Sequence, residues 1–131
     1  MFNPRKSSAI SLFSLIFVVI SASGSIAEES SAVAGKVFFD QHCQTCHNPD
    51  ADKKTYGPSL VGVVGRKAGS IEDFPYSQVL KNSGIVWTES SLQAWMADND
   101  GMLPGTRMRH VGVTDKAEQE LIVDYLKTLA K

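Results

Sequence analysis

The residues with the clearest chemical meaning in this chain are Cys43, Cys46 and His47, in the run Cys43-Gln44-Thr45-Cys46-His47. Two cysteines separated by two residues lie about one helical turn apart, so both sulfurs can reach the two vinyl groups of one porphyrin and form thioethers. A histidine directly after the second cysteine comes beneath that ring, where its imidazole can bind iron from the proximal side. The pattern is that of one haem c, covalently attached through Cys43 and Cys46. Two other chemistries use a Cys-x-x-Cys pair. Zinc would need two more cysteine or histidine ligands at short spacing, and beyond these residues the chain has only His42 and His110. A thiol–disulfide enzyme would carry the pair in a βαβ setting, which the flanking residues do not show.

The segments around this run must export the chain and enclose the ring. Residues 1–27 read as a secretory signal peptide. Arg5 and Lys6 provide the positive start, Ala9 to Ile20 is an apolar run, and Ser25-Ile26-Ala27 places small residues where a signal peptidase inspects them. An uncleaved anchor is the competing reading, but the apolar run is shorter than the ~20 residues that span a bilayer. Export agrees with the cysteine usage, since haem is attached to reduced thiols outside the bacterial cytoplasm. Residues 28–131 then form one domain, small enough that its own core is marginal and a buried macrocycle would complete it. Of the chain's 13 basic residues, 11 fall in this domain against all 14 acidic ones, a balance that gives no support for nucleic-acid binding.

The pattern of apolar residues predicts an all-α domain. Ser30-Ser31 is a plausible cap for a helix over 32–42, with Val33, Val37, Phe38 and Phe39 on its apolar side. Gly35 within that helix costs about 1 kcal/mol against Ala, which implies the close approach of another backbone. Residues 48–56 read as a polar loop, and 57–66 as irregular, glycine-rich apolar chain laid over something flat. A short helix is expected over 77–82, stopped by Gly84. Thr88 caps a further helix with Leu92, Trp95 and Met96 at helical spacing, ending in Asp98-Asn99-Asp100-Gly101. The last helix is expected to be capped by Thr114, with Leu121, Ile122, Tyr125, Leu126 and Leu129 as its apolar stripe. No segment calls for a strand. A second axial ligand could come from Met96, Met102 or Met108: Met96 lies on the helical stripe and suits the core, while Met102 and Met108 lie in or beside the following loop.

Taken in register, these motifs resemble the class I cytochromes c, the fold of mitochondrial cytochrome c and of small soluble bacterial cytochromes. The likeness rests on Gly35-Lys36-x-x-Phe39, the haem pentapeptide, Gly57-Pro58-x-Leu60, Gly65-Arg66-Lys67, Gly84-Ile85-Val86-Trp87 and Pro104-Gly105-Thr106-Arg107-Met108. It implies the cytochrome c fold, four to five short helices around one haem c with the first and last helices crossing. It implies His47 as proximal and Met108 as distal ligand of the iron. It also implies Pro58 as the carbonyl that holds the His47 ring, Arg66, Tyr76 and Trp87 as donors to the haem propionates, and Thr106 near the ligand sulfur. Trp95 is expected against the ring, and Gly35, Phe39, Ile122 and Tyr125 at the helix crossing.

The function implied by that resemblance is single-electron transfer in the periplasm by a monomer that is not an enzyme and does not insert stably in the membrane after signal cleavage. The partners implied are a membrane quinol–cytochrome c oxidoreductase and a terminal oxidase, photosynthetic reaction centre or periplasmic dehydrogenase. A haem-based sensor or peroxidase-like enzyme is the alternative, and it would need a labile sixth ligand. One departure stands close to the iron. Mitochondrial members often have phenylalanine two residues past the ligand methionine, and here the residue is His110. The basic ring around the haem edge, here Lys53, Lys54, Lys67, Arg107 and Arg109, is diluted by Asp98 and Asp100.

Overall fold

The computed structural model describes residues 23–50, 53 and 55–129. The expected signal peptide lies outside these residues as far as position 22; its last five positions fall in the first helix. Four helices follow in order: α1 (Ser23–His42), α2 (Gln78–Lys81), α3 (Glu89–Met102) and α4 (Lys116–Thr128). Among the described residues there is no strand, only one antiparallel bridge, between Lys67 and Val86. The architecture is helical, with α1 packed across α4 as the resemblance implies.

The crossing is where the core is tightest. Phe39 and Ile122 are completely buried, and the Phe39 and Tyr125 rings stack at a tilt with centroids 5.0 Å apart. Gly35 faces α4 directly: a Cβ there would run into the Leu121 carbonyl and lie 3.1 Å from the Tyr125 Cβ. The helix-weakening glycine is thus explained, because no side chain fits between the two backbones. On the outer side of α1, Lys36 pairs with Asp40 at 2.6 Å, an i,i+4 contact.

Two helix starts differ from the sequence expectation, and a third helix bends near its end. Helix α1 starts at Ser23 rather than Ala32, since Ser31 does not cap it: the Ser31 hydroxyl donates back to the Glu28 carbonyl at 3.0 Å. Helix α4 is capped by Asp115 rather than Thr114. The Asp115 carboxylate accepts from the backbone N–H groups of Ala117 (2.8 Å) and Glu118 (3.1 Å), two of the donors a helix start leaves unpaired. Helix α3 runs through the expected Asp98-Asn99-Asp100-Gly101 end to Met102, but it bends at Asp98, at φ −158° and ψ 86°, before its last turn. The Asp98 side chain caps that extra turn by accepting from the Gly101 N–H at 2.8 Å. The remaining caps follow the pattern: Thr88 accepts from Ser91 N–H at 3.1 Å, and Ser77 from Leu80 N–H at 3.4 Å.

Between α1 and α2 the chain runs without regular structure, as its glycines require. It is tied by backbone hydrogen bonds from Gly65 to the Trp87 carbonyl (2.8 Å), Trp87 to the Arg66 carbonyl (2.9 Å) and Ala68 to the Ile85 carbonyl (2.8 Å). These bonds hold residues 63–68 beside 85–87 and so set Arg66 next to Trp87.

Candidate functional site

The helices and loops enclose an apolar cavity of about 310 Å³ that opens to one side. Cys43 and Cys46 lie on its wall just after the last turn of α1, and His47 follows as a buried residue. The turn is closed by hydrogen bonds from the Cys46 and His47 N–H groups to the Cys43 carbonyl, at 3.0 and 2.8 Å. Both cysteines and His47 therefore face one cavity from a single turn of backbone.

The proximal wall is built on backbone contacts. The His47 Nδ1 lies 2.8 Å from the Pro58 carbonyl oxygen. A carbonyl can only accept, so Nδ1 carries the proton and Nε2 is left with its lone pair. Burial lowers the proton affinity of the ring, the Pro58 bond opposes this, and a charge on His110 would lower it further. Gly57 makes the arrangement sterically allowed, since a Cβ at that position would overlap the His47 ring, with Nδ1 only 2.6 Å away. The Gly57 N–H in turn donates to the Cys46 carbonyl at 2.7 Å.

The distal wall comes from farther along the chain. Met108, on the loop after α3, lines the cavity, and its sulfur accepts the indole N–H of Trp95 at 3.1 Å. Asn99, one turn beyond Trp95 on α3 and 5 % exposed, donates to the Met108 carbonyl at 2.8 Å. Met96 also reaches the wall from α3, whereas Met102 packs against the core away from the cavity. Asn99 was not singled out by sequence reasoning; its signal is a polar residue four positions after Trp95 on a face that is otherwise apolar.

The remaining expected residues converge on the same cavity. Arg66, Tyr76, Trp87 and Thr106 all line it. Trp87 and Trp95 meet edge to face with centroids 5.1 Å apart. Arg66 donates from its two terminal nitrogens to the carbonyls of Ser59 and Val61, both at 2.8 Å, which folds the 59–66 loop around it. Three of its five N–H groups are left for another acceptor. Burial lowers the Arg66 proton affinity and raises the Tyr76 pKa, the latter partly offset by the Arg66 charge.

The donor set fits a haem c. Two cysteines, one fixed imidazole with a free nitrogen, a thioether and an aromatic wall face one apolar space. The Cys43 thiol is unsuited to disulfide exchange, because burial, together with the neighbouring Cys46, pushes its pKa up to about 11. A fold of this kind around such a site defines a covalent haem protein of the small, all-helical type.

Comparison with known proteins is specific on this point. The profile of the family described as Cytochrome c matches residues 32–130. The chain is 40% identical to cytochrome c2 iso-2 of Magnetospirillum fulvum over 87 residues, covering 66% of this chain and 91% of that protein. It is also 40% identical to cytochrome c2 of Blastochloris viridis over 111 residues, 83% of this chain and 86% of that one. Among solved structures, cytochrome cH from Methylobacterium extorquens superposes with a TM-score of 0.69 at 41% identity, covering 74% of this chain and 97% of its own. The protein belongs to the cytochrome c family, class I, and binds one haem c through Cys43 and Cys46. Its function is that of an electron carrier.

Proposed function

We propose that the protein is a soluble periplasmic carrier of single electrons, with His47 and Met108 as the axial ligands of its haem iron. The observation that carries this reading is that His47 and Met108 line one apolar cavity from separate loops, each held by its own hydrogen bond. The haem, when bound, supplies a one-electron couple between ferrous and ferric iron. The protein's share is positional. Pro58 fixes the His47 ring through Nδ1, so that its orientation is the same in both oxidation states. Trp95 and Asn99 hold Met108 at its sulfur and at its carbonyl. Leu80, Leu92, Ile122 and Leu126 exclude water from the cavity. A thioether ligand and a low-dielectric pocket both favour the ferrous form and raise the potential.

Arg66, Tyr76 and Trp87 serve as donors to the propionates at the cavity edge, and Thr106 lies near the ligand sulfur. Residues 1–27 act as an export signal, and the folded domain works as a monomer without catalysing a reaction of its own. No helix among the described residues is long and apolar enough to cross a membrane. The partners are a quinol–cytochrome c oxidoreductase as donor and an oxidase, reaction centre or periplasmic dehydrogenase on the other side, reached through a small, transient contact at the open edge.

Ligation is tested on the ferric holoprotein. The weak sulfur-to-iron charge-transfer band at the red end of the visible spectrum should be present and should disappear in Met108→Ala. Its persistence in that variant would overturn the assignment. Spectra that shift on addition of carbon monoxide or cyanide would instead favour a sensor or peroxidase-like enzyme with an exchangeable sixth ligand.

A further inference from the structure

The distal wall holds one polar atom that the electron-carrier reading does not use. His110 lines the cavity beside Met108, and its Nε2 is buried without a hydrogen-bond partner among the described residues. Its other nitrogen, Nδ1, lies 2.8 Å from the Val111 carbonyl oxygen. That carbonyl can only accept, so Nδ1 carries a proton, and in the neutral ring Nε2 has the lone pair. The same arrangement is found on the proximal side, where the His47 Nδ1 lies 2.8 Å from the Pro58 carbonyl oxygen. A metal-binding histidine ordinarily has this form: one nitrogen tied to a carbonyl, the other free. The cavity thus has two imidazoles in ligand form. They are near enough for a charge on His110 to depress the proton affinity of His47.

The backbone on either side of His110 is anchored. Asn99 holds the Met108 carbonyl at 2.8 Å, and the Val113 N–H donates to the Met96 carbonyl at 2.9 Å. Gly112 is pressed against the Ala97 carbonyl so closely that a Cβ would overlap it. Between these points, among the described residues, Arg109 is tied by an exposed ion pair to Asp100 at 2.9 Å, and Val111 is 90% exposed. A displacement of this short strap would move His110 while leaving the helices in place.

We propose that His110 is a second distal donor, able to take the axial position through Nε2 when Met108 lets go. The exchange breaks one iron–thioether bond and forms one iron–imidazole bond. It changes no oxidation state, and the ring binds in its neutral form with the proton on Nδ1. Nitrogen suits ferric iron and the thioether suits ferrous iron, so the exchange belongs to the oxidised protein. This inference rests on the haem and Met108 reading given above.

The test uses ferric holoprotein of wild type, Met108→Ala and Met108→Ala/His110→Phe, with Met108→Leu replacing Met108→Ala if the alanine variant is unstable. Low-temperature electron paramagnetic resonance and imidazole titration are the readouts. In Met108→Ala the iron should be low-spin with two nitrogen axial ligands. Adding the His110→Phe change should convert it to high spin and tighten the apparent affinity for added imidazole by about tenfold, as removal of an internal competitor requires. Identical spectra and affinities in the single and double variants would overturn the proposal. So would a two-nitrogen spectrum that persists without His110. The sulfur band of the wild type reports separately on Met108, so the failure of either assignment is seen independently of the other.

Discussion

The two walls of the haem site are built on different principles. On the proximal side, Cys43, Cys46, His47, Gly57 and Pro58 fall within one short stretch of chain, and His47 is fixed by a backbone carbonyl. On the distal side, Met108 is held by Trp95 and Asn99, side chains from another element 13 and 9 residues away, and His110 stands beside it with an unused nitrogen. A ligand fixed by backbone cannot be released without unfolding the turn. One fixed by side chains can be exchanged by moving a loop. With the ligands proposed above, the contrast implies that the proximal bond would persist through the redox cycle and that tuning and exchange would be confined to the distal side.

The most severe way to break the comparison is to remove the group that joins the two walls. Cys43→Ser combined with Cys46→Ser should give a chain that retains no haem after acid–acetone extraction and shows no cooperative thermal transition by circular dichroism. Without the macrocycle, a domain of this size has a cavity where its core should be. A stable, folded, haem-free double variant would show that the walls do not depend on what lies between them.

Gly57→Ala strikes the proximal wall alone. The added Cβ overlaps the His47 ring, and the resulting overpacking should cost about 2–3 kcal/mol, read as a lower denaturant midpoint of the holoprotein. If backbone really governs this side, the sulfur band from Met108 should survive at low denaturant. Loss of that band with an unchanged midpoint would reverse the roles of the two walls.

Asn99→Ala is the corresponding cut on the distal side. It removes the donor to the Met108 carbonyl, at a cost of about 1–2 kcal/mol if the carbonyl is left unpaired. Here the sulfur band should disappear at a lower denaturant concentration than the helical circular dichroism, since the loop detaches before the fold is lost. Coincident transitions would mean the distal loop is as rigid as the proximal turn.

Trp95→Phe should have the smallest effect. It keeps an aromatic ring against the cavity but deletes the N–H that points at the Met108 sulfur. The loss should be about 0.5–1.5 kcal/mol, visible as tighter binding of added imidazole to the ferric protein. Global stability should change less than in Asn99→Ala. An unchanged imidazole affinity would show that the indole fills space without holding the sulfur.

Much of the proximal wall could be read before any coordinates, and the reason is chain distance. Cys-x-x-Cys-His encodes its own geometry, because residues within one turn have almost no freedom in how they face one another. Gly35 announced a close contact in the same way, by sitting where helix propensity argues against it. The caps show where such reading weakens. Thr114 and Asp115 are adjacent and both can cap, and only the folded loop decided that the Asp115 carboxylate reaches the free N–H groups. Ser31 likewise could begin a helix or sit inside one, and in the structure its hydroxyl bonds within α1.

The distal wall belonged to the tertiary structure. Composition and period alone left Met96, Met102 and Met108 open, and it took the family resemblance to select among them. What the fold adds is physical. Packing of α3 turns Trp95 and Asn99 toward the Met108 loop, while Met102, half-buried, packs against the core and does not line the cavity. His110 stood in the sequence as an unusual residue two positions past Met108. That its Nδ1 is tied to a carbonyl while its Nε2 is buried and, among the described residues, unpaired depends on the path of the strap between Met108 and Val113. Contacts within a turn follow from covalent geometry; contacts across the cavity exist only once the helices have packed.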